Sequence, residues 1–159
     1  MPHWIPSDRK IQNADPILID MGCKYKGYSS DMTRTIFMGC ILEEIKPIYD
    51  LVLKNQKNVL ELMRSNSNIK TIARSVDDSY KLNNYIMIHS LGHGVGLDVH
   101  EIPTINQKNE SFLKENMVVA NEPGIYLPGK YGIRIEDTVL INKTDCTTLT
   151  NSDKGYVVI

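Results

Sequence analysis

Four histidines occur in this chain, and three of them, His89, His93 and His100, fall within the segment 89–101, HSLGHGVGLDVHE. A neutral imidazole is the commonest metal ligand and the usual acid–base group near neutral pH. Gly92, Gly94 and Gly96 surround His93. Glycine lets backbone approach a ligand or another strand with no Cβ in the way. Histidines beside a tight turn are also common as plain surface residues, so the carboxylates decide between the two readings. Asp20 interrupts the apolar run PILIDMG (16–22), and Asp31 lies in the alternating run SDMTRTIFMG (30–39). Glu122 stands in MVVANEPGIYL (117–127) and Glu136 in GIRIEDTVLI (132–141). A buried carboxylate is costly without a cation or several donors. Asp20, Asp31, His93, Glu122 and Glu136 together form an oxygen-rich set with one nitrogen. Such a set suits manganese, iron, cobalt or zinc, and two ions rather than one. Two ions about 3.5–4 Å apart can share a bridging hydroxide and hold both ends of a scissile bond.

The elements that must position these groups are readable from pattern. Segments 16–22 and 30–39 read as strands joined by the turn CKYKGYS. A hairpin centred on Tyr25–Lys26 places Asp20 and Asp31 directly opposite each other on one face, together with Thr33, Thr35 and Phe37. Two like charges in that relation are destabilising unless a cation lies between them. Strands 117–127 and 132–141, paired around Gly129, repeat the device with Glu122 opposite Glu136. The apolar stripe Ile48, Leu51, Val52, Val59, Leu60, Met63 predicts a helix over 42–64, with Pro47 near its start. A weaker helix is predicted over 69–81, with Ile72, Ala73 and Val76 on one side. Residues 85–88 read as a strand leading into the histidine segment, and 97–100 as a further strand with Asp98 and His100 on one face. Residues 101–116 read as a polar loop, because Pro103 opposes strand continuation. The closing segment reads as two short strands or edges, with turn chemistry at 151–153.

Composition narrows the class. At 159 residues the chain is one domain, large enough to bury a core. The formal net charge of −1 gives no electrostatic reason to expect nucleic acid or an anionic membrane as partner. No apolar run approaches the ~20 residues that span a bilayer. The three cysteines have no CxxC spacing, which argues against a disulfide framework or thiolate zinc site and points to a reducing, cytoplasmic setting.

The blocks DMGCKYKGYSSDMTRT, HSLGHGVGLDVHE, NEPGIY and GIRIED resemble the signature blocks of the pita-bread metallopeptidases. Within that family they resemble the proline-specific branch, Xaa-Pro aminopeptidases and Xaa-Pro dipeptidases. The opening PHWIPSDRKI is similar to that branch's PH-x-x-PS block. Five candidate ligand positions agree in type, order and spacing, with the aspartates 11 positions apart and the glutamates 14.

The resemblance implies an α+β, creatinase/aminopeptidase-like pita-bread fold: a curved, mostly antiparallel sheet with helices on one face. It implies that Asp20 chelates one metal, that Asp31 and Glu136 bridge both, and that His93 and Glu122 hold the second. The ions would be two divalent metals, manganese first, with cobalt, iron or zinc as alternatives. A metal-bridging hydroxide would attack the Xaa-Pro bond, and Glu122 would carry its proton to the leaving nitrogen. His89 and His100 would bind substrate and stabilise the tetrahedral intermediate. His3, which position alone would make a mobile terminal residue, would be a further active-site histidine. Arg134 would pair with an acidic ligand or the substrate carboxylate, or form an ordinary strand salt bridge. The implied partner is a proline-containing peptide, and a homodimer is a further expectation.

Other readings compete. Methionine aminopeptidases share the fold and ligands, but the EPGIY and RIED blocks resemble the proline-specific branch. Creatinase-like and chaperone-like relatives lack the metal ligands. A mononuclear iron oxygenase would want two histidines and one carboxylate. Set against the family's two-halved catalytic domain, residues 1–159 are expected to be its carboxy-terminal portion, with part of the first half and the amino-terminal domain absent. That leads to a contrasting expectation: a truncated, inactive fragment that binds metal or is only structural, because a ligand set without its packing is too loose for efficient catalysis.

Overall fold

The computed structural model describes residues 7–159, so His3 lies outside the described residues. Two antiparallel strands come first, β1 (Pro16–Met21) and β4 (Met32–Phe37), joined by a small hairpin of β2 (Lys24–Tyr25) and β3 (Tyr28–Ser29). The hairpin turns at Lys26 and Gly27, whose φ values are 49° and 90°. Two left-handed residues in a two-residue loop match the right-handed twist of the flanking strands. This turn lies one residue later than the Tyr25–Lys26 expected from sequence, and it moves every cross-strand partner by two. Asp20 therefore faces Thr33, and Asp31 lies diagonally from Asp20 rather than directly opposite. A shift of two preserves the face, so both aspartates still point the same way.

Two helices pack behind the strands. α1 runs over Lys46–Leu62 and α2 over Ile69–Leu82. α1 begins four residues later than its apolar stripe predicts, with Pro47 in its first turn, where a missing N–H costs nothing. Its buried side carries Ile48, Tyr49, Val52 and Val59, and also Asn55 and Gln56. α2 is capped by the Asn68 side chain, which accepts from the Thr71 amide at 3.0 Å. Its buried residues Ile69, Ile72, Ala73, Val76 and Tyr80 recur at helical spacing. Each large aliphatic residue so buried contributes roughly 1.5–3 kcal/mol.

The main sheet has five strands in the order β11 (Cys146–Thr148), β10 (Asp137–Ile141), β7 (Val118–Asn121), β5 (Gly92–Gly94), β6 (Glu101–Ile105). A separate hairpin pairs β8 (Gly124–Leu127) with β9 (Tyr131–Arg134). The two long strands expected over 117–127 and 132–141 are thus each broken, at 122–123 and 135–136. Pro123 has no N–H to give to a ladder. At the breaks the Glu122 amide donates to Leu91 O at 2.9 Å and the Glu136 amide to Thr33 O at 3.0 Å. The register on both sides of the breaks agrees with pairing around Gly129, so Glu122 and Glu136 stay across from each other.

Three local expectations are corrected. Residues 85–88 form no strand; the Tyr85 amide closes the end of α2 on Tyr80 O, while Ile86 and Ile88 are exposed. Residues 97–100 are a bend, because the Gly96 amide donates to Asp98 O and the Asp98 amide to the Glu101 carboxylate. Residues 101–105 are β6 rather than loop. Pro103 is tolerated because β6 is the edge of the sheet, where a missing donor costs no ladder bond. The chain end docks on β4 through a parallel bridge between Phe37 and Val158. No helix among the described residues is long and apolar enough to cross a membrane.

Candidate metal centre

The breaks and bends of these strands converge on one open cleft of about 610 Å³. Asp20 reaches it from β1, Asp31 from the start of β4, His93 from β5, and Glu122 and Glu136 from the two strand breaks. Nε2 of His93 lies 3.5 Å from Oδ2 of Asp31 and 3.5 Å from Oε1 of Glu122. Three sets of possible ligand atoms each lie within 4.8 Å of one another: Asp20, Asp31 and Glu136; His93, Glu122 and Glu136; Asp31, His93 and His100. Glu136 belongs to the first two sets.

The electrostatics fit a cation. Burial pushes the Glu122 carboxyl up to about 8, and the Glu136 charge beside it adds to the effect. Burial pushes Glu136 up to about 7, reinforced by Asp31. Asp31 is raised as well, by burial and then by Asp20. His93 is lowered by burial, which favours the neutral, ligating imidazole. Protein groups alone therefore leave Glu122 and Glu136 holding protons near neutral pH, and a divalent ion would stabilise their ionised forms. Four carboxylates and one imidazole suit a hard or borderline divalent metal.

Backbone geometry around His93 depends on the glycines. A Cβ on Gly92 would sit 2.0 Å from Ala120 O, and one on Gly94 would sit 2.3 Å from Ile102 O. Side-chain-free backbone thus lets β5 lie between β7 and β6. The His93 ring is oriented by Nδ1, 3.0 Å from Gly94 O, which leaves Nε2 facing the acids. Such an outer hydrogen bond fixes tautomer and aim in metal-ligating histidines.

Arg134 forms an ion pair with Asp20, one of the candidate ligands: its Nη2 donates to Oδ2 of Asp20 at 2.6 Å. Its Nη1 reaches the Tyr126 hydroxyl at 3.1 Å and its Nε the Thr33 hydroxyl at 3.0 Å. Thr33 in turn donates to Oε2 of Glu136 at 2.6 Å. His89 packs beside this group, with Nδ1 2.8 Å from Ser90 O, Nε2 3.0 Å from the Tyr126 hydroxyl, and Glu122 at 3.9 Å. His100 is exposed, its ring centroid 4.3 Å from that of His93.

Several supporting residues escaped sequence reasoning. Tyr126 and Thr33 are two. Thr138 is a third, its hydroxyl donating to Asp31 O at 2.7 Å. Arg34 is a fourth: buried, it donates to Glu136 O at 2.5 Å and to Oδ1 of Asp137 at 2.7 Å. Asp137 also accepts from Gln56 and Lys154. Only the second acid of the RIED block hinted at this network.

Comparison with known proteins agrees with this geometry. The model of metallopeptidase family M24 matches residues 1–143. The Xaa-Pro dipeptidase of Pyrococcus furiosus is 45% identical over 157 residues, covering 97% of this chain and 45% of that protein. The crystal structure of an X-Pro aminopeptidase from Thermotoga maritima superposes with a TM-score of 0.96 at 37% identity, over 100% of this chain and 46% of the other. The prolidase of Pyrococcus horikoshii gives 0.94 at 41% identity, over 99% and 46%. The chain therefore spans a little under half the length of these relatives. It has the antiparallel α+β pita-bread fold of these neighbours, with two helices against its sheets, and it belongs to metallopeptidase family M24.

Proposed function

We propose that this chain carries the metal centre of a dinuclear exopeptidase that hydrolyses the bond between a residue and a following proline. The observation that carries the reading is the pair of ligand sets sharing Glu136, one completed by Asp20 and Asp31 and the other by His93 and Glu122. The relatives named Xaa-Pro dipeptidase and X-Pro aminopeptidase support the proline specificity. Residues 1–159 are taken as a carboxy-terminal portion of the catalytic domain. Manganese is the ion assigned first, with cobalt, iron and zinc as alternatives. The cytoplasm is the proposed compartment, in keeping with three free cysteines.

Two divalent ions held by Asp20, Asp31, His93, Glu122 and Glu136 would supply an activated hydroxide and polarise the scissile carbonyl. The chain's own groups do the rest. Glu122 is assigned the proton transfer to the leaving nitrogen, and His89 and His100 the hydrogen bonds to substrate and to the developing oxyanion. Arg134 holds Asp20 and, through Thr33, Glu136. Methionine aminopeptidase chemistry is the alternative within the family.

The test is release of the first residue from Ala-Pro-Ala by metal-stripped protein titrated with manganese. Metal-dependent release supports the reading, and Glu122→Gln should abolish it while largely sparing the fold. Hydrolysis that survives Glu122→Gln would contradict the role given to that residue. A second reading, an inactive fragment, draws on the chain's covering only 45% of its dipeptidase relative. It predicts metal uptake without turnover.

A further inference from the structure

We propose that the closing segment 150–155 works as a clasp on the metal centre, and that Lys154 is its positioning residue, acting through Asp137 and Arg34 on Glu136. The inference rests on the reading of Glu136 as a shared ligand and adds how that residue is held.

Glu136 stands in the break between β9 and β10, where no strand ladder fixes its backbone. Its amide donates to Thr33 O at 3.0 Å, and its carbonyl accepts from Nη1 of Arg34 at 2.5 Å. The same Nη1 donates to Thr33 O at 2.9 Å. One guanidinium thus ties both carbonyls of the Thr33–Glu136 contact, in place of the missing ladder.

A guanidinium carries five N–H donors in a fixed fork, so the aim of one edge depends on what the others meet. In Arg34 every donor is used. Nη2 donates to Oδ1 of Asp137 at 2.7 Å and to Ser152 O at 2.9 Å, and Nε donates to Asp153 O at 3.0 Å. Two of the five acceptors therefore belong to the closing segment. Arg34 is buried, so a donor that lost its acceptor there is costly to leave unpaired.

Lys154 holds the clasp shut. Its ammonium donates to Oδ2 of Asp137, whose side chain is fully buried. This is the segment's one ion pair among the described residues. Thr150 adds a hydroxyl bond to Oδ1 of Asp137 at 2.7 Å, and the Tyr49 hydroxyl supports the backbone at Lys154 and Gly155 from α1. Apolar cover is thin beyond this point, for Val157, Val158 and Ile159 are exposed. Without the ammonium, the segment loses the contact that presses Ser152 and Asp153 against Arg34, and the fork is free to turn away from Glu136.

The experiment compares Lys154→Met, which keeps side-chain length and removes the charge and donors, with Lys154→Arg, which keeps both. Asn68→Ala is the control; it removes the cap of α2, outside the cleft lining, and lowers stability by another route. Exchange of the Glu136 amide is read by NMR in metal-free protein, relative to the buried Val59 amide in α1, and manganese affinity by calorimetry. Lys154→Met is expected to raise the exchange ratio about tenfold, as a local opening, and to weaken manganese affinity about tenfold. Lys154→Arg should restore most of both. Asn68→Ala should lower the unfolding transition and change neither. A folded Lys154→Met protein with unchanged exchange at Glu136 would overturn the clasp. So would an affinity loss that Asn68→Ala reproduces or that Lys154→Arg shares in full. Faster exchange at Glu136 in Lys154→Met, with no manganese bound by the unaltered chain, would support the clasp and contradict the metal reading.

Discussion

The Thr33 hydroxyl donates to Oε2 of Glu136 at 2.6 Å, joining β4 to the break between β9 and β10. The same hydroxyl accepts from Nε of Arg134 at 3.0 Å. One small side chain thus fixes the orientation of the carboxylate shared by both ligand sets. Thr33→Val keeps the shape and removes the hydroxyl. It is expected to weaken manganese affinity by roughly 10–100-fold and to lower stability by about 1–3 kcal/mol. Isothermal calorimetry and urea unfolding check the two effects separately.

The metal-free protein should lose stability as pH rises from 6.5 to 8.5. Glu122 and Glu136 are raised in the folded state to about 8 and about 7, above the 4.5 of the unfolded chain. Over this interval the unfolded carboxylates are already ionised, while the folded ones pass from largely protonated to largely ionised. The folded state binds more protons, so stability falls with pH, by up to about 1.4 kcal/mol per unit for each proton held. His93 acts the other way, because its pKa is lowered and its contribution falls away on acidification below the usual imidazole range. Starting at pH 6.5 limits that opposing effect. Saturating manganese needs ionised ligands and should remove or reverse the trend. Urea midpoints in chelator and in manganese, taken at both pH values, decide the matter; a metal-free midpoint that rises with pH contradicts the assignment.

Gly92→Ala should be severe. The added Cβ would meet Ala120 O at 2.0 Å, and that atom belongs to the backbone of β7, in the middle of the sheet. Separating the strands would disturb both His93 and Glu122. A loss of about 2 kcal/mol or more is expected, with reduced metal uptake. Gly129→Ala serves as the control for a different mechanism: its Cβ meets nothing within 4 Å, and only its φ of 74° opposes it.

Asp137→Ala should cost about 3–5 kcal/mol, because it leaves the buried guanidinium of Arg34 without its carboxylate. Arg34 also holds the Glu136 carbonyl at 2.5 Å, so the change should reach the site through the backbone. Chemical denaturation reads the first effect and manganese affinity the second.

The candidate ligands were readable because each acid interrupts an apolar or alternating strand, a placement that ordinary surface acids do not share. The Glu122–Glu136 pairing was readable for the same reason, with Gly129 marking the turn. The Asp20–Asp31 register was missed by two because several residues of CKYKGYS could form the turn, and the choice of Lys26–Gly27 depends on backbone twist. β6 was missed because its Pro103 is acceptable only at an edge, and edge position is a property of the whole sheet. The bend at 97–100 was missed because the Glu101 carboxylate, closing on the Asp98 amide, overrides an alternating pattern. Arg34 and Asp137 lie 103 positions apart and meet only through sheet packing. Their types alone cannot separate a buried ion pair from two surface charges.

The most direct measurement is the number of manganese ions bound per chain, by calorimetry with elemental analysis, before and after Glu136→Gln. A shared carboxylate predicts two ions in the unaltered protein. It predicts one or none in the variant, with the unfolding transition of the metal-free form retained. Two ions bound with unchanged affinity by Glu136→Gln, or none bound by the folded unaltered chain, would contradict the dinuclear centre on which the functional reading depends.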